Sequence, residues 1–290
     1  IKSFDKVIVQ NSPLLVSFSA IMLFKIFLNK KIILNVSDLW PQSAIDLEVM
    51  RKDSFIHKTF KRIESFNYKK SDKIIGQSQY ILDHISKFTV RPNFLYRNLP
   101  FNVVDKRNKI SKYDKISFVY AGLLGVAQGL LRLVKIIDKL NFDFEFHIYG
   151  DGKERKEIED FLLDNNKIKY FGSISKKELQ LILPKYHYSF VPLAKDVKGA
   201  FPSKIYELIS NNIPVIYVGK GEAKKFIDDH NLGYTLSPEN INDILILLKD
   251  IFNSKLTNYN NLIENCNSVS EKKLSFKKQN MKLIKFITND

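Results

Sequence analysis

Lys204 and Glu207 are the two residues whose types and spacing best suit chemistry. They fall in Ala200-Phe-Pro-Ser-Lys-Ile-Tyr-Glu207, which runs on to Pro214-Val-Ile. Pro202 and Ser203 are helix-start residues. They set Lys204 in a first turn, where free N–H groups and an ammonium converge on an anion. Glu207, three positions on, shares the helix face of Lys204. A cation for a diphosphate and a carboxylate for ribose hydroxyls, one turn apart, suit a nucleoside diphosphate. The same spacing describes an ordinary i,i+3 surface ion pair, and spacing alone favours that plainer reading.

Glycines supply a second signal. Of 11 in the chain, eight follow apolar runs of strand length: Gly122, Gly125, Gly129, Gly150, Gly152, Gly172, Gly219 and Gly221. Ligands bind outside the carboxyl ends of the strands in an open parallel sheet, often where glycine admits them. Singly, each glycine reads as a tight βα turn; together they favour a phosphate-bearing ligand. The loop Gly122-Leu-Leu-Gly-Val-Ala-Gln-Gly129 has neither the Gly-x-Gly-x-x-Gly of dinucleotide folds nor a Walker loop. This counts against dehydrogenase and ATPase readings.

The elements that position these residues alternate. Strands are expected at Lys6–Gln10, Lys31–Val36 and Lys73–Gly76. Helical patterns run over Leu14–Leu28, Phe55–Lys70 and Tyr80–Lys87. Arg91–Lys112, rich in Asn, Pro and charge, reads as a linker. Alternation restarts with strands at Ile116–Ala121, Phe144–Tyr149, Ile168–Phe171, Tyr188–Val191 and Pro214–Val218. Each precedes a helical segment, and helix dominates from Glu239 on. Repeated strand–helix units imply parallel sheets covered on both faces. The linker makes two α/β domains, each doubly wound: 1–112 with the linker, and 113–268, followed by a C-terminal helix over 269–290. The chain opens at Ile1 on a strand, which raises the expectation that the N-terminal domain is truncated.

Composition narrows the function classes. The net charge is +15, from 46 Lys and Arg against 31 Asp and Glu. The cations are spread along the chain rather than gathered in an aromatic-interleaved stripe, so nucleic-acid binding ranks last. Weak attraction to anionic lipid fits the charge. Leu14–Leu28 is too short and polar to span a bilayer; a buried helix is expected there more than a lipid contact. One cysteine, Cys266, fits a reducing, cytoplasmic setting. His147 reads as a packed strand residue. His187 and His230 lack partners at metal spacing, and no metal is expected. Arg155 reads as an exposed helix arginine.

The ordered motifs resemble the family 4 glycosyltransferases of GT-B fold, two facing Rossmann-like domains. They are most similar to the bacterial branch holding N-acetylfucosamine transferases of surface-polysaccharide assembly. The matching stretches are Tyr120-Ala-Gly-Leu-Leu-Gly-Val-Ala-Gln-Gly-Leu130, His147-Ile-Tyr-Gly-Asp-Gly152 with Arg155, Phe171-Gly-Ser, Pro202-Ser-Lys-Ile-Tyr-Glu207, Pro214-Val-Ile216 and Gly221-Glu-Ala223. Ser37-Asp-Leu-Trp-Pro-Gln-Ser43 resembles a loop that this branch carries at the interdomain cleft.

The resemblance implies retaining, metal-independent transfer of an N-acetylated or deoxy hexose from a nucleotide sugar, UDP favoured, with no cofactor. The acceptor would be a lipid-linked or glycan molecule of capsule, O-antigen or exopolysaccharide assembly, with peripheral contact at the inner face of the plasma membrane. It places Glu207 at the donor ribose, and Lys204, Pro202 and Ser203 at the diphosphate. Gly172 falls beside the base, Gly122, Leu123, Gly125 and Gly150 around the donor, and Asp38 with Trp40 on the acceptor side, although these two read equally as a strand-end turn with a packed Trp. Three departures stand out. Gly199 replaces the first glutamate of the paired motif. Leu123 and Gln128 occupy the loop where relatives carry Arg and Lys, and Ser37 replaces a histidine. The alternatives are a nucleotide-sugar 2-epimerase of the same architecture and a non-catalytic partner subunit that binds nucleotide sugar.

Overall fold

The computed structural model describes residues 4–101, 113–254 and 256–289, which form two compact units. The first holds the chain up to Asn98, the segment Val197–Phe201 and the residues from Phe276 on. The second holds the described residues of Leu99–Asp196 together with Pro202–Ser275.

The first unit is built on a parallel sheet of β1 (Lys6–Gln10), β2 (Lys31–Val36), β3 (Lys73–Gly76) and β4 (Asn93–Leu95), in that spatial order. One face is packed by α1 (Leu14–Ile21), α3 (Phe55–Lys70) and α4 (Gln79–Ser86) around Val9, Leu34, Val36, Ile74, Tyr68 and Ile81. A short α2 (Gln42–Asp46) follows β2. Ser54 and Ser78 start α3 and α4 by accepting from the His57 and Ile81 amides, as N-caps do.

Two expectations change here. The linker read over Arg91–Lys112 begins with β4, three residues paired to β3, while 102–112 lie outside the described residues. The helix read over Leu14–Leu28 becomes α1 followed by a π-helical segment, Met22–Phe27. Only Leu14, Ser17 and Ile21 of it are buried, because a helix on a sheet has one inward stripe.

The second unit has a six-stranded parallel sheet. Its strands are β5 (Ile116–Ala121), β6 (Phe144–Tyr149), β7 (Ile168–Tyr170), β8 (Tyr188–Pro192), β9 (Val215–Val218) and β10 (Gly233–Leu236). Their spatial order is β10-β9-β8-β5-β6-β7. Crossovers pass through α5 (Leu130–Ile137), α6 (Arg155–Phe161), α7 (Lys176–Ile182), α8 (Lys204–Ser210) and α9 (Gly221–His230). Two further helices, α10 (Ile244–Asn253) and α11 (Tyr259–Lys273), close the unit. Its core is aromatic: the Phe118 ring stacks on Phe190 and Tyr188 at 5.2 and 6.0 Å. From β5 the chain winds one way to β6 and β7, then returns to β8 and winds the other way. Doubly wound sheets bind ligands at such a reversal, outside the carboxyl ends of the strands.

The last helix, α12 (Phe276–Thr288), belongs to the first unit. Phe286 stacks on Phe94 at 5.4 Å, and the Lys6 ammonium donates to the Ile287 and Thr288 carbonyls at 3.0 Å. Lys73 donates to the Phe286 carbonyl at 2.7 Å. Both cations sit at the negative end of the helix dipole and satisfy its terminal carbonyls.

Candidate functional site

The site lies at the β5–β8 switch point of the second unit. β5 runs into Gly122, whose amide donates to the Tyr149 carbonyl at 2.9 Å; the Gly150 amide donates to Gly172 at 2.9 Å. Leu124 and Asp151 are joined the same way, at 2.9 Å. Three strand-end loops are thus laced by backbone. Gly150 has φ +140°, and a Cβ there would lie 1.8 Å from the Gly122 carbonyl oxygen. That close contact requires glycine at 150, which also lines the groove of the candidate site. Gly172 has φ +74°, and a Cβ there would meet open space.

α8 begins where the sequence places it: the Pro202 carbonyl accepts from Ile205 at 3.0 Å and that of Ser203 from Tyr206 at 3.1 Å. The Ser203 side chain makes no capping bond. Lys204 folds back so that its ammonium lies 4.6 Å from the centroid of the Tyr120 ring. It presses against Gly122, where a Cβ would come within 2.3 Å of Nζ. Tyr120 is itself held by its hydroxyl, which donates to the Leu123 carbonyl at 2.6 Å. Burial pushes the Lys204 pKa down to about 8, partly countered by the Glu207 charge.

Lys204 and Glu207 form no ion pair, so the plainer reading of their spacing does not hold. Oε1 of Glu207 is buried with no hydrogen-bond partner among the described residues. Buried polar groups are normally satisfied, and an orphaned carboxylate oxygen in a groove marks a place for a donor group. That groove has a volume of about 580 Å³. Gly122, Leu123 and Glu207 line one part of it, and Tyr149, Ser173 and Lys176 another. The groove offers a free carboxylate and open backbone, and the Lys204 cation over the Tyr120 ring lies against its Gly122 wall.

The remaining sequence candidates are placed as follows. Leu123 is exposed on the rim, and the Gly125 carbonyl accepts from the Gln128 amide at 3.0 Å. Asp38 lies in the first unit, exposed at the end of β2, accepting from Ser37 Oγ at 3.2 Å. Trp40 is half-buried, its ring 6.1 Å from that of Phe60. Gly199 also belongs to the first unit; at φ +83°, a Cβ would lie 3.1 Å from Ile81. Arg155 is bound to Glu159 at 3.0 Å on exposed α6. His147 is buried in β6 against the Tyr186 hydroxyl at 2.8 Å, and His187 is buried against Ser117 Oγ at 2.9 Å. His230 faces the Phe226 carbonyl at 3.0 Å. Sequence reasoning missed Tyr120 and the Tyr149–Ser173–Lys176 wall. β5 is buried on both faces and does not alternate, so nothing in its pattern singled out Tyr120, one residue before the strand's end.

Two Rossmann-like α/β units, one with an unpaired cation and carboxylate at its switch point, define the GT-B class of architecture. The chain belongs to the Glycosyl transferases group 1 family, whose model matches residues 104–269. It is similar to the probable glycosyltransferase WbjE of Pseudomonas aeruginosa, 24% identical over 74% of this chain and 58% of that protein. It is also similar to the poly(ribitol-phosphate) α-N-acetylglucosaminyltransferase of Staphylococcus aureus, 25% identical over 67% of this chain and 40% of that protein. The chain thus spans about half the length of these relatives. Among solved structures, Anabaena HepE in complex with UDP superposes with a TM-score of 0.77 at 10% identity, covering 98% of this chain and 79% of that one.

Proposed function

We propose that the second unit binds a nucleoside-diphosphate sugar, with UDP the favoured nucleotide. On this reading the chain transfers an N-acetylated or deoxy hexose to a lipid-linked or glycan acceptor, with retention and without an obligatory metal or cofactor. The acceptor role is one of capsule, O-antigen or exopolysaccharide assembly. The observation that carries the reading is the Glu207 carboxylate, unpaired in the groove wall, with the unpaired Lys204 ammonium packed against Gly122 of the same wall. A diphosphate satisfies the ammonium, and vicinal ribose hydroxyls satisfy Glu207 Oε1. Family membership and the UDP found in HepE support the choice of ligand.

Charge grows on the leaving diphosphate as the glycosidic bond breaks. Lys204 and the N–H groups of Leu123 and Gly125 in the Gly122–Gly125 loop, fixed before the reaction, stabilise that charge, those of Gly122 and Leu124 being bonded to Tyr149 and Asp151. Asp38 and Trp40 are assigned to the acceptor.

The test is a thermal-shift panel of UDP, GDP, ADP and TDP against the chain and its Glu207→Ala variant. Selective stabilisation by one diphosphate that the variant loses is expected; no shift with any of them would end the reading. A second reading is motivated by Gly199, which offers no carboxylate where relatives carry the first glutamate. It makes the chain a non-catalytic partner subunit, and it predicts donor binding without transfer to any acceptor.

A further inference from the structure

The first three strands each open on a lysine: Lys6, Lys31 and Lys73. In the sheet register Lys6 lies beside Lys31, and Ile33 beside Lys73. Side chains alternate along a strand, so these four project from one face of the sheet. The apolar core around Val9, Leu34 and Ile74 occupies the other face. The lysines stand at the amino ends of the strands, whereas α/β sheets take substrate at the carboxyl ends.

Between these lysines and the end of α12 lies a pocket of about 260 Å³. Arg91, shortly before β4, adds a fourth cation, and buried Ile33 supplies an apolar wall. Asp72 is the one acid in the lining among the described residues. It is already taken, by Lys25 at 2.6 Å and by the Ile32 amide at 2.7 Å. Lys73 donates to the Phe286 and Asn289 carbonyls of the α12 end. An ammonium has three donors, so one remains. Neither Lys73 nor Arg91 is in an ion pair with a described residue. The helix end supplies roughly half a negative charge, which does not balance even these two cations. Like charges held together in a partly enclosed space repel, and an anion between them relieves the repulsion.

We propose that this pocket binds a compact, multiply charged phosphate anion, at a site separate from the donor groove of the second unit. The planar Arg91 guanidinium suits two oxygens side by side, and the lysines act as point charges around them. The pocket is smaller than the roughly 300–1,000 Å³ that hold drug-sized ligands, which restricts the occupant to a group of about diphosphate size. Because Lys73 also holds the carbonyls of α12, the bound anion fastens that helix to the sheet. The inference stands on the first unit alone and does not rest on the reading of the donor site.

The experiment is titration calorimetry of the whole chain with inorganic pyrophosphate, in a Lys204→Met background that removes the candidate anion site of the second unit. Binding of one equivalent is expected, weakened about thirtyfold by Arg91→Gln, the worth of a hydrogen bond between charged groups. Arg51→Gln makes the same change of charge at an exposed residue of the first unit outside the pocket, and should change affinity by less than about twofold. Unchanged melting temperatures establish that each variant is folded. Hydrogen exchange locates the ligand: pyrophosphate should slow exchange at Phe286–Thr288, and Arg91→Gln should abolish that protection. No binding in the Lys204→Met background, an equal loss in Arg51→Gln, or binding untouched by Arg91→Gln would overturn the inference. So would protection confined to the second unit.

Discussion

The Lys204 ammonium rests 4.6 Å from the Tyr120 ring centroid and forms no ion pair with Glu207, one helical turn along α8. The geometry gives each charge a separate task. Cation–π attraction holds the ammonium aimed at the strand-end loop without neutralising it. Lys204→Met keeps most of the side-chain volume and removes the charge. It should weaken diphosphate binding by about 2 kcal/mol, near thirtyfold, since a hydrogen bond to a charged group is worth that much. Titration calorimetry with UDP reads it, and an unchanged dissociation constant would remove Lys204 from the site.

Protonation of Lys204 should make stability and affinity move in opposite directions. Its folded-state pKa of about 8 lies below the ordinary lysine value of 10.5. Between these values the unfolded chain holds the extra proton, so the contribution of Lys204 to stability rises with pH through that window. Diphosphate affinity should instead fall above pH 8, by up to about tenfold per unit if only the ammonium binds. Melting curves and UDP titrations at pH 7, 8 and 9, repeated on Lys204→Met, separate the two trends. A wild-type affinity that stays level across this range would contradict the assignment.

Glu207→Gln keeps the shape of the side chain but weakens it as an acceptor. UDP should lose about 1–2 kcal/mol of binding, whereas 2′,3′-dideoxy-UDP should be almost unaffected. The comparison isolates the carboxylate–ribose contact from any general damage. Equal losses for both ligands would mean that Glu207 meets some other part of the ligand.

Much of this was legible in the sequence, and what was hidden has physical causes. The i,i+3 spacing put Lys204 and Glu207 on one face of α8, but it could not reveal that they stay apart. That depends on Gly122 leaving room for Nζ, a contact across 82 residues of chain. The glycines marked the strand ends, yet Gly150 is a glycine because the Gly122 carbonyl occupies its Cβ space. β4 escaped notice because it has three residues between Pro92 and Tyr96, too few for a period-2 pattern. β10 is an edge strand, half-buried throughout, and shows no alternation either. The apolar run Leu14–Leu28 pointed to a buried helix, and only the packed sheet reveals that its outer face has no cover within the described residues.

Gly150→Ala tests whether the laced strand-end loops hold the site together. The residue adopts φ +140°, a region that L side chains rarely enter, and the new methyl would overlap the Gly122 carbonyl. Strain of this kind costs on the order of 3 kcal/mol, so the second unit should melt several degrees lower. The damage should propagate, because the Gly122 amide donates to Tyr149, the residue before Gly150, and Gly122 borders Lys204. UDP affinity should therefore drop together with stability. Gly172→Ala, at a position with open space, carries strain from its φ alone and should cost less. Urea denaturation of both variants decides the matter: similar losses would mean that backbone conformation, and not the contact with Gly122, sets the requirement for glycine at 150.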